Sequence, residues 1–479
     1  MRRFSERIHK RSWSAATSVA GRCRERFSLF GRHGKHYVFI RVDEPTVKIA
    51  VVMQHQFGTE GNGSTYTATR LVSELGRRGH DLTVYGTEEP PPQASERTDI
   101  DVRTVDVPES SAPYKTRFNE AIRDRMDEFD AFDITHAYDM QLLPAMGDMA
   151  AEAATKTAVT LQAFSAICPK NDLLYLNEEE CTANGYLKCG RCTLTSLYRN
   201  NDAGFPTAAA SAIRRSANRV KSLRSIRAAN DDLDGIGGFH TYTDRLRETY
   251  VSFGYPDERI TVIRNVLDDA FSVEHESDFA EPYRLLYVGR LATEKGVRKL
   301  LPLLSRLNER TPHAFTLTVA GRGYLRDELE RAARSRGVEA DVEFTGHIPH
   351  DEMPELYATH DLFVYPGIWN EPFGRVFLEA LATGTPVVAT DVGSVDEIIG
   401  DAGVVVEGSV DGLTDGITKI VEAAAFDALS SAGRSRVQNY RVADVLPAFE
   451  SWYRRILDDG QDGTEASDPA QGENSTTRV

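Results

Sequence analysis

The sequence predicts an α/β fold of two doubly wound domains, each a parallel sheet covered by helices on both faces, that face each other across a cleft. Short, apolar, β-branched runs recur along the chain, as expected of buried parallel strands. Stretches with helical spacing separate these runs, and that alternation is typical of βαβ units. A length of 479 residues, 41% of them hydrophobic, suits two large domains.

The first half opens on one complete βαβ unit. Residues 47–53 form a short apolar run, and the glycine-bearing loop 58–64 follows. Ser64 is a suitable cap for a helix that ends at Gly79, and a second strand is predicted over 81–85. Further strands are predicted over 133–137 and 157–162.

The second half repeats this rhythm more clearly, and a non-periodic stretch over 262–282 indicates the joint between the domains. We therefore assign the domains to residues 46–262 and 263–440. An amphipathic helix follows over 441–458, in which Pro447 either starts or kinks the helix. The predicted strands of the second half are 284–288, 315–320, 342–345, 362–365 and 387–390.

The two ends of the chain differ from the rest. Residues 1–45 are basic, with aromatic residues between the arginines. Such a segment either lies on an anionic lipid surface or is a disordered extension or a start placed too early. Residues 459–479 are rich in Gly, Ser, Thr, Asp and Glu, and we predict that they are disordered.

The composition argues against several classes of protein. A net charge of −16 disfavours general affinity for nucleic acid. No apolar run reaches the ~20 residues that span a bilayer, and no secretory signal is apparent, so a cytoplasmic location is expected. Most of the basic residues are arginine, and an acidic, lysine-poor surface is typical either of a halophilic protein or of an ordinary acidic cytoplasmic one.

The loop after strand 284–288 carries two cations, Arg290 and Lys295, between Gly289 and Gly296. Two cations beside a helix N-terminus can hold a phosphate. A solvated basic loop is the simpler alternative for this segment.

The loop after strand 362–365 leads into a helix predicted to start near Pro372 and end near Thr383. Glu371 lies just before this helix, and Glu379 lies about two turns into it near the same face. Gly374 allows a ligand to approach the backbone. Two carboxylates at different heights suit two sets of ligand hydroxyls, because carboxylates accept hydrogen bonds from vicinal diols.

The segment Glu371-Pro-Phe-Gly-Arg-Val-Phe-Leu-Glu379 resembles the E-x7-E signature of retaining glycosyltransferases of the GT-B fold, family 4. That fold consists of two Rossmann-like domains facing across a cleft. Further motifs fit in the expected order over residues 284–407, while the first half resembles the family more loosely. They are Gly289-Arg-Leu-Ala-Thr-Glu-Lys-Gly296, Val319-Ala-Gly-Arg-Gly323, Phe344-Thr-Gly-His-Ile-Pro349 and Gly384-Thr-Pro-Val-Val-Ala-Thr390.

The resemblance implies a role for each matching residue. Arg290 and Lys295 would hold the donor pyrophosphate and stabilise the departing nucleoside diphosphate. Glu379 would bind the ribose, and Glu371 the transferred sugar. The other donor-binding residues implied are Gly61, Gly63, Gly289, Gly321, Ile348, Phe373, Gly374 and Arg375. The family generally needs no divalent cation, and its last helix crosses back onto the first domain.

The acceptor side departs from the family pattern. Many relatives read H-x-H-[DE] after the strand that ends here at residue 137, whereas this chain reads His136-Ala-Tyr138-Asp139. Either Asp139 or His136 therefore assists the acceptor hydroxyl, or no side chain acts as a base.

Four of the five cysteines cluster in an insertion over 165–200. They are Cys168, Cys181, Cys189 and Cys192. Cys189 and Cys192 have the C-x2-C spacing at which two thiolates reach one metal ion. A structural zinc, redox disulfides and free thiols all stay open, although disulfides are less expected in a reducing cytosol.

Together these features indicate a retaining glycosyltransferase that moves a sugar from a nucleotide-diphosphate donor to a glycan or lipid-linked acceptor. The alternatives are a nucleotide-sugar epimerase of the same GT-B architecture and a non-catalytic sugar-nucleotide-binding protein. The paired glutamates and paired cations favour transfer.

Overall fold

A computed structural model describes residues 27–29, 39–41, 46–54, 57–58, 63–89, 100–110, 112–176, 179–199, 223–224, 226–227, 233–274 and 276–459. Most of the basic segment 1–45 lies outside these ranges, apart from the backbone of two antiparallel strands, β1 (Phe27–Leu29) and β2 (Phe39–Arg41). Gly61 and residues 460–479 also lie outside them. The membrane-surface and disorder predictions therefore stay predictions. Across the described ranges, no helix is both long and apolar enough to span a bilayer.

The first domain is a seven-stranded sheet in which every neighbouring pair of strands is parallel. Its strands are β3 (Lys48–Val52), β4 (Asp81–Gly86), β5 (Asp101–Thr104), β6 (Ile134–Ala137), β7 (Lys156–Thr160), β10 (Gly238–Thr241) and β11 (Ile260–Val262). Its helices are α1 (Gly63–Arg77), α2 (Tyr114–Arg123), α3 (Met126–Phe129), α4 (Leu143–Glu152), α5 (Tyr186–Arg199) and α6 (Asp244–Ser252). The insertion adds a small antiparallel pair, β8 (Leu174–Tyr175) and β9 (Glu179–Glu180).

The second domain is a six-stranded, all-parallel sheet. Its strands are β12 (Tyr283–Val288), β13 (Phe315–Ala320), β14 (Val342–Gly346), β15 (Leu362–Tyr365), β16 (Val387–Thr390) and β17 (Gly403–Val406). Its helices are α7 (Leu300–Arg310), α8 (Arg326–Arg336), α9 (Met353–Ala358), α10 (Arg375–Thr383), α11 (Val395–Ile399), α12 (Val410–Glu422) and α13 (Phe426–Arg436). Each sheet has apolar clusters on both faces, which explains the near-continuous apolar strands.

Strand order fixes where a ligand can bind. The sheets run β11-β10-β7-β6-β3-β4-β5 and β14-β13-β12-β15-β16-β17. In each, the chain starts near the centre, winds to one edge, and returns to build the other half. The order therefore reverses beside β3 in the first sheet and beside β12 in the second. In open parallel sheets, ligands bind outside the carboxyl ends of the strands at such a reversal.

The last helix, α14 (Val442–Asp458), packs onto the first domain although it follows the second in sequence. Its apolar face shares one core cluster with residues of β3, α1 and β6. Pro447 lies inside the helix, one turn from its start. This return of the chain matches the crossing that the resemblance implied.

The nine strands predicted from apolar runs are all present, with shifts of one or two residues at their ends. Four strands of the two sheets were missed, namely β5, β10, β11 and β17. β5 and β17 are partly exposed edge strands, and β10 is a short run with a histidine and a glycine. Such strands lack the long apolar signal on which the prediction depends.

Candidate active site

A cleft of about 570 Å³ lies between the two sheets, and both domains contribute to its walls. The size is that of a typical small-molecule site. Eight of the predicted site residues line it, in agreement with the position expected from strand order. They are Asp139, Gly289, Arg290, Lys295, Glu371, Phe373, Gly374 and Arg375.

Helix α10 begins at Arg375, three residues later than the predicted start at Pro372. Gly374 precedes it with φ of 73°, a left-handed conformation that favours glycine. A Cβ at this position would lie 2.4 Å from the ring of Phe377. The chain therefore turns sharply at Gly374 instead of continuing a helix from Pro372, and the N-terminal N–H groups of α10 lie beside the cleft.

Three side chains donate hydrogen bonds to Glu371 in the cleft. Its side chain is buried, and its Oε2 accepts hydrogen bonds from Lys295 Nζ at 2.6 Å, from Trp369 Nε1 at 2.8 Å and from the hydroxyl of Tyr365. Burial alone would raise the pKa of Glu371, but the Lys295 charge and these three donors lower it below its usual value. Glu371 is therefore a carboxylate at neutral pH.

The second oxygen of Glu371 is arranged differently. Among the described residues, no side chain or backbone group donates to Oε1, and Glu371 lines the cleft. The described donors thus all hold Oε2, so Oε1 can still accept a hydrogen bond from another molecule.

Lys295 and Arg290 occupy different environments. The Lys295 ammonium lies 4.5 Å from the centre of the Trp369 ring, a cation–π distance, and its side chain is mostly buried. Arg290 is largely exposed and pairs with Glu294 at 3.1 Å. Lys295 is therefore fixed in the cleft wall, whereas Arg290 can swing toward an anion.

Gly289 and Gly321 owe their identity to a close crossing of backbones. Gly321 has φ of 145°, and a Cβ there would lie 1.9 Å from the carbonyl oxygen of Gly289. Any larger residue would push the Arg290 loop out of position. Gly321 does not line the cleft, so its contribution to ligand binding is indirect.

Glu379 lies on α10 behind the main cavity. Its Oε2 accepts a hydrogen bond from the hydroxyl of Tyr357 at 3.1 Å, and Arg375 lies 3.7 Å from its Oε1. Arg375 in turn stacks on the ring of Tyr66 from α1 at 4.5 Å. Glu379 therefore lies beside the seam between the domains, one helical turn beyond the residues that line the cleft.

Tyr66 marks a contact between the domains that sequence reasoning missed. Its ring also lies 5.0 Å from that of His350, and His350 Nε2 lies 2.9 Å from a carboxylate oxygen of Asp268. The hydrogen bond to Asp268 raises the pKa of His350. Asp268 belongs to the segment that joins the domains. The only hint in the sequence is a large aromatic residue one turn after the glycine-bearing loop.

The structure does not place three further predicted donor-binding residues, Ile348, Gly63 and Gly61, in the lining of the cleft. Ile348 packs against an apolar cluster of the second domain and does not line the cleft. Gly63 is the first residue of α1, whose Thr65 does line it. Gly61 is outside the described residues.

His136 does not reach the cleft. It is fully buried, its Nδ1 lies 2.8 Å from the hydroxyl of Tyr453 on α14, and its Nε2 lies 2.8 Å from the hydroxyl of Thr160. Burial lowers the pKa of His136 to about 3, so the ring is neutral. His136 therefore links β6 and β7 to α14. This buried position does not support the predicted role of His136 at the acceptor hydroxyl.

Asp139 and Tyr138 behave differently from His136. Asp139 lines the cleft, and one of its carboxylate oxygens caps a turn by accepting the backbone N–H of Gln141 at 2.9 Å. The Tyr138 hydroxyl lies 2.7 Å from that of Tyr242. Burial raises the pKa of Tyr138 well above 10, so this hydroxyl is no base at neutral pH.

The four clustered cysteines form no disulfide with one another. Cys181 and Cys192 lie near enough to Cys189 to influence its pKa, which burial raises. Backbone N–H groups point at the sulfurs of Cys168 and Cys189. However, the described residues contain no group of three or more potential ligands positioned to hold a metal ion.

Zinc in the insertion therefore stays a prediction. It expects about one zinc ion per chain by elemental analysis, because four thiolates satisfy one tetrahedral ion. Cys189→Ser is expected to release that ion, while Cys23→Ser, outside the cluster, is the control. A wild-type chain purified without any metal would contradict the prediction.

Comparisons with known proteins agree with the fold. Residues 62–266 match the family model "Glycosyl transferase 4-like domain", and residues 271–435 match "Glycosyl transferases group 1". The chain therefore carries one domain of each kind. Anabaena HepE in complex with UDP and glucose superimposes with a TM-score of 0.61 at 17% identity, over 85% of this chain and 98% of HepE. Sucrose-phosphate synthase from Thermosynechococcus elongatus gives 0.60 at 16% identity, over 86% and 100%. The architecture is thus GT-B.

Curated relatives match over shorter stretches. An uncharacterized glycosyltransferase of Methanocaldococcus jannaschii is 36% identical over an alignment of 172 residues, which covers 33% of this chain and 43% of the relative. Glycogen synthase of Mycobacterium tuberculosis is 42% identical over 148 residues, 31% and 35% of the two chains. The matched region spans less than half the length of these relatives.

Proposed function

We propose that this chain, which joins a glycosyl transferase 4-like domain to a glycosyl transferases group 1 domain, is a retaining glycosyltransferase. It would move a sugar from a nucleotide-diphosphate donor to a hydroxyl acceptor in glycan or glycolipid assembly. The observation that carries the proposal is the geometry of Glu371. A buried carboxylate, held on one oxygen by Lys295, Tyr365 and Trp369, offers its other oxygen to the cleft.

The roles of the cations follow from the charge of such a donor. Its pyrophosphate carries negative charge, which increases when the bond to the sugar breaks. Lys295 lies in the cleft wall, and Arg290 is exposed beside it. A fixed cation such as Lys295 stabilises a leaving group more than water does, because it needs no reorganisation during the reaction.

The proposed step retains the configuration at the anomeric carbon. In the proposed step, the bond between the anomeric carbon and the phosphate oxygen breaks, and the acceptor oxygen bonds to the same face of the sugar. The proton of the acceptor hydroxyl passes to the departing phosphate oxygen. Asp139 is the one predicted base that lines the cleft, and in this scheme it orients the acceptor.

The names of the relatives support a sugar-nucleotide donor without selecting one. The HepE structures are described as complexes with UDP, UDP-glucose, or UDP and glucose, and one curated mycobacterial relative is described as GDP-mannose-dependent. The donor is therefore best found by measuring thermal stabilisation with a panel of nucleoside diphosphates and nucleotide sugars. A ligand at about 100 times its dissociation constant adds ~2.7 kcal/mol of stability.

Glu379→Ala is expected to weaken binding of the donor found in this way by about 10- to 100-fold. Hydrogen bonds to a charged group contribute roughly 1.5–3 kcal/mol each, and 1.4 kcal/mol corresponds to a tenfold change. Calorimetric titration of the donor measures the effect. Glu309→Ala, which removes an exposed carboxylate from α7 in the same domain, is the control. Equal affinities for the two variants would contradict the assignment of Glu379.

Donor consumption separates transfer from epimerisation. A transferase releases nucleoside diphosphate faster when an acceptor is present, whereas an epimerase converts the donor without one. Release that does not depend on any acceptor, together with a changed sugar on the nucleotide, would replace the proposal by the epimerase alternative.

A further inference from the structure

A second cavity, of about 160 Å³, lies beside the cleft in the first domain. Helix α2 forms one wall, and the turns that follow β6 and β7, the start of α4 and Ile226 form the rest. We call it the α2 pocket. Met140, Gln141 and Ser165 line both the α2 pocket and the cleft. A molecule whose hydroxyl lies in the cleft can therefore extend a small group into the α2 pocket.

The α2 pocket is cationic in an acidic protein. Lys115 and Arg123 line it, and none of its lining residues is Asp or Glu, although the chain has 72 acidic and only 56 basic residues. Arg123 is neutralised by Asp148 of α4, which lies outside the lining. Lys115 is therefore the source of the unbalanced charge.

The surroundings of the Lys115 ammonium disfavour its charged form. Burial lowers the pKa of Lys115 to about 8, while the charge of Asp139 acts in the opposite direction. Within the ranges that the structure describes, no acidic group pairs with this ammonium, and no acceptor receives a hydrogen bond from it. Lys115 is partly buried, and a cation in such surroundings without a partner is less stable than one beside a bound anion.

Neutral donors surround the same space. Thr116, one residue from Lys115 on α2, and Ser165, on the turn after β7, both line the α2 pocket. In the described part of the chain, neither hydroxyl is engaged in a hydrogen bond with a protein group. Asn119 is fully occupied, because it holds the turn after β6 through Gln141 and Ala145. An ammonium and two free hydroxyls supply donors that a phosphate group can use.

We propose that the α2 pocket binds a phosphate group of the acceptor, with Lys115 as its cation. This inference rests on the proposed function, because it names the acceptor class for the same site. Asp139 lines the cleft but not the α2 pocket, and its charge acts on Lys115. A phosphate is therefore favoured beside Lys115 and disfavoured beside the Asp139 carboxylate. The acceptor hydroxyl is thereby directed toward the donor. The phosphate belongs either to a soluble sugar phosphate or to a lipid-linked one.

Calorimetric titration with methyl phosphate tests the pocket directly. The double variant Lys295→Met, Glu371→Gln serves as the background, since it weakens competing binding of phosphate at the donor site without leaving a buried charge unpaired. Adding Lys115→Met, which keeps the aliphatic stem, is expected to weaken methyl phosphate binding by about 10- to 100-fold. Adding Lys48→Met, which replaces an exposed lysine at the amino end of β3, is expected to change nothing. Unchanged affinity after Lys115→Met, or tighter binding of acetate than of methyl phosphate, would overturn the proposal.

Two further probes distinguish the sources of the phosphate. Glucose 6-phosphate represents a soluble acceptor, and geranyl phosphate represents a lipid-linked one. The probe that binds more tightly identifies the class of acceptor. Both are expected to lose affinity in the Lys115→Met variant, and a probe that binds equally well to both proteins would count against the α2 pocket.

A separate measurement of donor binding distinguishes failure of the α2 pocket proposal from failure of the proposed function. Thermal stabilisation by the donor panel is measured on the otherwise wild-type chain and on its Lys115→Met variant. Normal stabilisation of the variant, with methyl phosphate binding lost, supports both proposals. A wild type that no donor stabilises would refute the proposed function, while the dependence of methyl phosphate binding on Lys115 would still stand.

Discussion

Replacing Lys295 with alanine is expected to lower the rate of sugar transfer by about 100-fold or more, the usual result when one fixed electrostatic donor is removed. Lys295 is mostly buried and lies 2.6 Å from Glu371, so water cannot replace its charge at equal strength. Steady-state kinetics with a saturating donor measures the effect on turnover. Lys419→Ala, an exposed lysine of α12 in the same domain, is the control. Equal turnover of the two variants would contradict the proposed role.

The same substitution is expected to destabilise the second domain by about 3–5 kcal/mol, because it leaves a buried carboxylate without its cation. The pKa of folded Glu371 lies below that of an unfolded carboxyl. Its contribution to stability is therefore complete above the unfolded pKa and is lost as the pH falls through the folded pKa. Without Lys295, burial dominates and the pKa rises. The variant is then least stable, relative to wild type, at neutral pH.

Chemical denaturation at neutral and at mildly acidic pH measures this difference. The double variant Lys295→Met, Glu371→Gln separates stability from catalysis, because it removes both charges from the buried site. We expect it to recover most of the stability and none of the activity. Recovery of activity would mean that the pair has only a structural role.

The strands could be predicted because their signal is local. β13 and β15 coincide with the predicted 315–320 and 362–365, since a strand covered on both faces must be apolar throughout. The location of the site followed from the same strands. Arg290, Lys295 and Glu371 come directly after β12 and β15, and the strand order brings these two carboxyl ends together.

Other features depend on residues that are distant in sequence. His136 reads as a candidate base at the end of a strand, but Tyr453, 317 positions away, occupies one of its ring nitrogens. Helix α10 starts late because the Phe377 ring and the turn at Gly374 exclude an earlier start. Tyr66 contacts the second domain across the seam. No local pattern encodes these contacts, since each is decided by how separate elements pack.

Trp452→Ala is expected to destabilise the first domain by about 3–5 kcal/mol, the usual range for removing a large buried aromatic side chain. The Trp452 ring is 2% exposed and lies 5.3 Å from that of His136 and 5.8 Å from that of His240. A Cβ on Gly238 would come within 3.0 Å of the indole nitrogen, so α14 lies directly against the backbone of β10. Arg455→Ala, an exposed position on the same helix, is expected to change stability by roughly 0.5 kcal/mol or less.

A sharper test of the Trp452→Ala prediction is which part of the protein loses stability. Trp452 shares an apolar cluster with β3, α1 and β6, whereas the cluster that contains β12, β13 and α7 includes no residue of α14. Hydrogen exchange in Trp452→Ala is therefore expected to accelerate in β3 and β6 and to stay unchanged in β12 and β13, because local opening follows local packing. Equal acceleration in both sheets would mean that the two domains unfold as one unit. Because α14 packs against the first domain, that outcome would mean that the stability of the donor site also depends on this packing.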